Sequence, residues 1–378
     1  LANDLARHIS DIDLYDTTED RAEYNGGLFW HTDHYVDALT SSHRTYSKHQ
    51  IIDGAPTQGG GPGGEHCYTR GLLLHYYVTG CEQSKTSVIK LTQWITHFYE
   101  GSGTVLEYLL ALNKPSVHLP APPAPHKYPL NRGVGNYIRA LMDSYALTNN
   151  QKYLTLTESI IRYTIHPKDN LHDRDLGNVE DTWFYTIFLQ AVMHYIVVKG
   201  EQQKTHDEHY LYAVSALLHY SRWIRDHETL ALDNPEKLDY PNDTWAAQEI
   251  RKATILCFAA TICQNDERKA YQARADFFYS AVNQQLQHSE TSHFSRISAI
   301  LMQNHGFSNN DKSTMHAVVI PNEFMRNLPP PHITKIQQIS RALYHLVKKI
   351  ITVSPKAELS WLQHRNATVK KLFNAIIK

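Results

Sequence analysis

Apolar residues recur every three to four positions along most of this chain. The pattern runs through residues 71–78, 138–147, 183–198, 210–223, 253–262 and 339–351. That period puts one apolar stripe on one face of an α-helix. Alternating apolar and polar runs closed by tight turns, the mark of strands, are nearly absent. The pattern predicts an all-α protein of about 12 to 14 helices with little or no sheet. Three segments interrupt it. Residues 58–64 read Q-G-G-G-P-G-G and feed a helix. Pro-rich, helix-free connectors lie near 114–129 and at 322–332, the second holding Pro329, Pro330 and Pro331. Neither has the Gly/Ser composition of a flexible linker. Both read as long loops on one body, with residues 1–378 forming a single domain.

A weak repeat orders the helices. Similar endings occur at residues 75–80 (H-Y-Y-V-T-G), 144–149 (S-Y-A-L-T-N) and 194–200 (H-Y-I-V-V-K-G). Similar beginnings occur at Asp181-Thr182-Trp183 and Asp243-Thr244-Trp245, with the Asp placed to cap or charge a first turn. The spacing of about 50 to 70 residues is that of a helical hairpin with its loops. Such hairpins must stack to bury their apolar faces. An open stack needs polar end repeats, whereas a closed ring of inner and outer helices needs none. The expected architecture is therefore an α/α toroid, as an incomplete or complete ring. Residues 183–198, apolar nearly all round, suit an inner helix.

Composition narrows the function. The chain has 378 residues, 42% of them hydrophobic and 20% charged, and a net charge of -1. It has ample material for a core and no basic field for non-specific nucleic-acid binding. No run approaches the roughly 18 apolar residues of a membrane span. The chain starts at Leu1 without Met, which suggests a processed product or a piece of something longer. Its 24 His and 23 Tyr are in excess; both side chains serve polar ligands at neutral pH, and bias alone is the rival explanation. The four Cys form no C-x-x-C pair, so neither a zinc framework nor a disulfide scaffold is expected. Cys257 and Cys263 lie in an apolar helical pattern and read as buried thiols.

Five polar and aromatic clusters sit at candidate helix starts. The first, residues 24–35, reads Y-N-G-G-L-F-W-H-T-D-H-Y and is followed by His43, Arg44 and Tyr46. A helix from Leu28 would bring His31, His34 and Tyr35 within one turn. H-x-x-H is half a metal site with no third ligand placed, so no metal is expected. The histidines are then packed structural residues or an acid/base patch facing substrate. The second, residues 59–70, reads G-G-G-P-G-G-E-H-C-Y-T-R. It lacks the Lys-Ser/Thr of a phosphate loop, and no strand precedes it. Its glycines permit close backbone approach, and Glu65, His66, Tyr68 and Arg70 crowd a helix entrance. Glu65 fits equally well as a first-turn carboxylate on the helix dipole. The others hold Arg132, Asn136 and Tyr137; then Asn178, Asp181 and Trp183; then Trp245, Gln248 and Arg251 or Lys252. In a toroid the inner helices are parallel and their starts share a rim. His31, His34, Glu65, His66, Arg132, Asp181, Trp183 and Trp245 are thus expected to line one concave site, where helix dipoles favour an anion.

The order Y-N-G-G-x-x-W-H-T-D-H-Y, G-G-G-P-G-G-E-H-x-Y-T-R-G-L-L-L-H-Y, D-T-W and Y-P-N-D-T-W-A-A-Q-E-I-R-K resembles the α/α-toroid region of large bacterial polysaccharide-active proteins. The nearest group is the exo-acting rhamnogalacturonan lyase-like family, and the resemblance covers residues 24–260 in motif style and domain type. It implies a polysaccharide or oligosaccharide substrate and β-rich domains that a longer chain would carry; no cofactor is expected, and an extracellular or periplasmic location follows from the substrate alone. The first functional expectation is a lyase cleaving a uronic-acid-containing glycan by β-elimination. That reaction needs a neutralised carboxylate, a base for the C5 proton and an acid for O4. His31, His34, Tyr35, Glu65 and His66 are the catalytic candidates. Arg70, Arg132 and Asn136 suit the carboxylate, and Trp30, Trp183 and Trp245 the sugar faces, with Asp181, Gln248 and Arg251 alongside. The alternatives are a glycoside hydrolase drawing two carboxylates from Asp33, Glu65, Asp181, Asp243 and Glu249, and a non-catalytic glycan-binding or scaffolding toroid.

Overall fold

Helices are the material of both units into which the chain divides. The computed structural model describes residues 1–16, 24–28, 51–52, 55–56, 62–113, 125–292, 294–304, 316–331, 334–366 and 368–371. In chain order the described helices begin with α1 (Ala2–His8), α2 (Arg70–Thr79), α3 (Glu82–Glu100), α4 (Val105–Asn113) and α5 (Arg132–Thr148). They continue with α6 (Gln151–Arg162), α7 (Val179–Thr182), α8 (Tyr185–Glu201), α9 (Glu208–His227) and α10 (Asp243–Ile262). The last are α11 (Asn265–Gln287), α12 (Ser295–Asn304), α13 (Asn322–Asn327), α14 (Lys335–Ile351) and α15 (Pro355–Gln363). Two-residue strands at Ile51–Ile52 and Ala55–Pro56 pair antiparallel. The protein is all-α, as the apolar period predicts.

One unit comprises Leu1–Lys127, Asn136–Thr157 and Ile333–Lys378, the other Tyr128–Gly135 and Glu158–His332. In the second unit α8 packs on α10 and α9 on α11, while α10 also meets α9, α11 and α12. Thus α8, α9 and α10 each meet the helix two places on, which is the pairing of stacked hairpins. Every residue of α8 from Tyr185 to Met193 is buried, and every residue of α10 from Glu249 to Leu256. In contrast, α11 buries only Tyr271, Ala275, Phe278 and Val282, a single stripe at spacings of four and three. In the first unit α2 packs on α1 and α3, and α4 on α14 and α15.

The repeated endings differ in detail. Gly80 closes α2 at φ 71 and Asn149 follows α5 at φ 52, both left-handed, whereas α8 runs on past Gly200 and its left-handed residue is Gln203. The two D-T-W starts also differ. Asn242, fully extended, caps α10 by accepting the Thr244 N–H at 2.9 Å, so Asp243 opens a long helix. Asn178 instead donates its amide to Asp175 and Asp181, and the Thr182 hydroxyl bonds back to the Asn178 carbonyl. Asp181 therefore sits in the four-residue α7, and α8 starts afresh at Tyr185. The 322–332 connector, expected to be helix-free, contains α13. Pro321 occupies its N-cap and buried Leu328 follows it, ahead of the three prolines.

Candidate functional site

Two turns of the second unit fold their aromatic residues together. Before α10, the Asn242 amide and the Trp245 indole N–H both donate to the Tyr240 carbonyl, at 2.8 and 3.2 Å. This packs the turn beneath the indole. Glu180 of α7 accepts the Asp239 N–H at 3.1 Å, tying this turn to the other D-T-W segment. The Trp183 carbonyl takes the Thr186 hydroxyl at 2.8 Å and so closes the step from α7 to α8. The Trp183 and Trp245 rings then meet edge to face, 6.1 Å apart. Phe184 lies 4.5 Å from Trp183, and the Arg132 guanidinium sits 5.6 Å from the Phe184 ring. The result is a string of four groups, Arg132, Phe184, Trp183 and Trp245, all partly exposed, with Tyr240 79% exposed at its end. Asp181 is exposed nearby in sequence and accepts the Asn178 amide at 3.0 Å. Partly exposed rings beside a guanidinium suit a ligand with apolar faces and an anionic group.

Gln248 and Arg251 lie one turn and two turns further along α10. Arg251 is 7% exposed and donates to Gln248 at 2.8 Å and Gln190 at 2.9 Å. Its guanidinium is held among amides inside the unit, whereas Arg132 is partly exposed.

A second cluster in this unit surrounds Lys252. Its ammonium pairs with Glu228 at 3.0 Å and Glu249 at 2.9 Å and donates to the Thr229 carbonyl, all three side chains being buried. Glu249 also accepts the Ala231 N–H, and Tyr185 donates to Glu228. Burial raises the Glu249 carboxyl above its ordinary value, against the pull of Lys252 and the Ala231 N–H. Burial alone would lower the Lys252 ammonium, but the two carboxylates outweigh it and hold it above its ordinary range. Glu249 also lines a cleft of about 400 Å³ with Asp233, His288, Gln284, Gln285 and apolar residues that include Leu230 and Val282.

In the first unit, Glu65 and His66 fall in a 3-10 turn, Gly64–His66, and α2 begins only at Arg70. Glu65 is therefore not in the first turn of α2. The turn is held from α5, where the Asn136 amide donates to the carbonyls of Gly64 and Glu65 at 3.3 and 3.0 Å. The close approach expected of the glycines is met at Gly64, where an added Cβ would stand 2.9 Å from the Tyr99 hydroxyl. His66 is 5% exposed and packs edge to face with Tyr68 at 5.9 Å. Arg70 pairs with Asp143 at 3.2 Å while remaining half exposed, and the Thr69 hydroxyl donates to the other Asp143 oxygen at 2.8 Å. Burial raises the Asp143 carboxyl above its ordinary value despite Arg70, Thr69 and Arg139. Asp143 was missed from the sequence, although a lone Asp on the apolar face of α5 was its visible signal.

Trp30, His31, Asp33, His34 and Tyr35 lie outside the described residues, and so do His43, Arg44 and Tyr46. Leu28, near which that helix was expected to begin, bridges to Leu14, and the residues of the expected helix itself lie outside the described ones. Among the described residues no three His, Cys, Asp or Glu side chains group to hold a metal ion. All four cysteines are free thiols; burial pushes Cys263 up to about 12 and Cys67 higher still. No described helix is long and apolar enough to cross a membrane. No family model, curated protein or solved structure matches the chain.

Proposed function

We propose that this protein is carbohydrate-active and that its second unit holds a uronic-acid-containing glycan on the Trp183–Trp245 face. The observation that carries this reading is the string Arg132, Phe184, Trp183 and Trp245. Indole rings stack on the C–H faces of sugars, and a guanidinium beside them offers charge-assisted hydrogen bonds to a carboxylate. The stacked hairpins α8–α9 and α10–α11 support the α/α-toroid architecture, and the motif resemblance supports an extracellular or periplasmic polysaccharide lyase. In β-elimination a cation disperses the charge of the uronate carboxylate. A base then removes the C5 proton, and an acid protonates O4 as its bond to C4 breaks. The sequence assigns these proton transfers to His31, His34 and Tyr35, which lie outside the described residues, and to Glu65 and His66, which belong to the first unit and are not assigned to this face.

A second reading, glycoside hydrolysis, is favoured by Glu249. A carboxyl held above its ordinary range beside a cleft that also presents Asp233 is the kind of group that acts as a general acid. One experiment separates the readings. The purified protein is incubated with uronic polysaccharides while near-ultraviolet absorbance and reducing ends are followed together. A lyase produces one unsaturated, absorbing end for each new reducing end. A hydrolase produces reducing ends without absorbance. Binding with neither product would leave a non-catalytic glycan-binding module and contradict both enzyme readings.

A further inference from the structure

The helix α14 of the first unit carries an apolar face that is left exposed among the described residues. Its sequence, K-I-Q-Q-I-S-R-A-L-Y-H-L-V-K-K-I-I, places Ile336, Ile339, Leu343, Tyr344, Val347, Ile350 and Ile351 on an arc of about 140° at ~100° per residue. Only Ser340 interrupts that arc. The seven side chains are between 52% and 77% exposed, and α14 buries no residue at all. The helix is firmly started, since Thr334 and Gln337 form a reciprocal capping box. It packs on α4 by a different edge. The Tyr108 hydroxyl donates to the Ala342 carbonyl at 3.1 Å, and the Lys349 ammonium lies 5.6 Å from the Tyr108 ring. On α4 itself Leu106, Leu109, Leu110 and Leu112 are 37% to 45% exposed. An uncovered apolar surface of this extent marks an interaction site.

Charge identifies the occupant. Lys335 and Lys349 flank one side of the apolar arc, Arg341 and Lys348 the other, and α14 contains no acidic residue. From Thr334 to the last residue, nine Lys and Arg side chains stand against the single acid Glu358, in a chain whose net charge is only -1. Because fields decay over roughly 8 Å in physiological salt, the charges on and beside α14 weigh more in its docking than those far from it. A second copy bound through the same face would set Lys335 and Lys348 against their own counterparts, and α14 itself carries no acid to relieve them. A groove-bound helix presents a narrow line of anchors. A wide apolar face edged by cations on both sides matches instead a helix lying in the interface of an anionic bilayer. We propose that α14 docks this protein onto the surface of a membrane rich in anionic lipid, lying in the interface plane without spanning it.

Flotation of the full chain with vesicles tests this. The vesicles are phosphatidylcholine alone, or phosphatidylcholine with about one-third phosphatidylglycerol. The protein is expected to float with the anionic vesicles, weakly or not at all with the neutral ones, and less as salt rises. Lys335→Gln with Lys348→Gln should weaken partitioning by about fivefold per charge removed. Leu343→Glu with Val347→Glu should abolish it. Both pairs alter exposed side chains, so circular dichroism and melting should match those of the parent. The proposal is overturned if the parent protein fails to float with anionic vesicles at low salt, or floats equally with neutral ones. It is overturned too if the Leu343/Val347 pair floats unchanged. A dimer in light scattering that this pair dissolves, without vesicle binding by the parent, would assign the face to a second copy instead.

Discussion

The tyrosine excess, which composition leaves open between ligand chemistry and simple bias, is at the residue scale largely built into the core. Tyr108, Tyr137, Tyr185, Tyr195, Tyr210, Tyr220 and Tyr271 are among the largest fully buried side chains. Tyr185, Tyr195 and Tyr220 donate to Glu228, Glu158 and Asp169. Burial first, and then these carboxylates, hold their hydroxyls far above the ordinary value of 10, so none of the three serves as a base at neutral pH. Composition counts such residues without distinguishing core from site. The Lys252 cluster yields the sharpest residue-scale test. Lys252→Met would leave Glu228 and Glu249 buried together without a cation, at a cost of about 3–5 kcal/mol at neutral pH. Glu249→Gln keeps an acceptor for the Ala231 N–H and leaves Lys252 its Glu228 partner, so its effect should stay within about 1 kcal/mol. Denaturant unfolding of both variants checks this order. The pH dependence has a definite sign. Because the folded Glu249 carboxyl titrates above its ordinary value of 4.5, the folded state binds that proton more tightly than the unfolded chain. The stability this gives is present below about 4.5 and is lost as pH rises through the folded value. In Glu249→Gln that decline with rising pH should be absent from the stability curve. A steeper decline would contradict the assignment.

Among elements, the apolar period identified the helices well and their surroundings poorly. Its repeat of three and four is visible in the buried stripe of α11, and the left-handed closures at Gly80 and Asn149 were legible as endings. The break between α7 and α8 was not, because it depends on where the Asn178 and Thr182 side chains place their hydrogen bonds. Nor was the fate of α14, since periodicity marks an apolar face without saying what covers it. Close helix contact is equally invisible from the pattern. At Gly135, in the second unit, an added Cβ would stand 3.0 Å from the Phe188 Cα, 3.1 Å from its nitrogen and 3.2 Å from the Ile187 carbonyl oxygen. In an open helix Gly→Ala is stabilising by up to about 1 kcal/mol. Here the obstacle is the backbone of α8, which cannot swing aside. Gly135→Ala should therefore destabilise by about 1–3 kcal/mol. A raised melting temperature would mean that the two helices do not meet this closely.

For the molecule as a whole, fold class was legible because helical hairpins announce themselves locally. The juxtaposition of Trp183 and Trp245 was legible because the same tripeptide recurs at the start of successive hairpins. Phe184 and Tyr240 complete that face yet were passed over, each being one aromatic among many until a neighbour gave it a role. Arg251 was read as facing substrate because it shares a helix face with Trp245. The fold draws it inward to Gln190, a contact between residues 61 apart in sequence that no local pattern encodes. Asn136 and Arg70 likewise have structural duties, toward the Gly64–His66 turn and Asp143, that spacing alone does not reveal. The central claim is that the second unit binds an anionic glycan through its indole pair. Its most direct measurement is a calorimetric titration of uronic-acid oligosaccharide into the parent protein and into Trp183→Ala, Trp245→Ala and Arg132→Gln. The account predicts binding by the parent and affinity lower by about tenfold or more in each variant, roughly 1.4 kcal/mol, with melting temperatures preserved. Unchanged affinity in both tryptophan variants, or no binding by the parent to any uronic oligosaccharide, would contradict it.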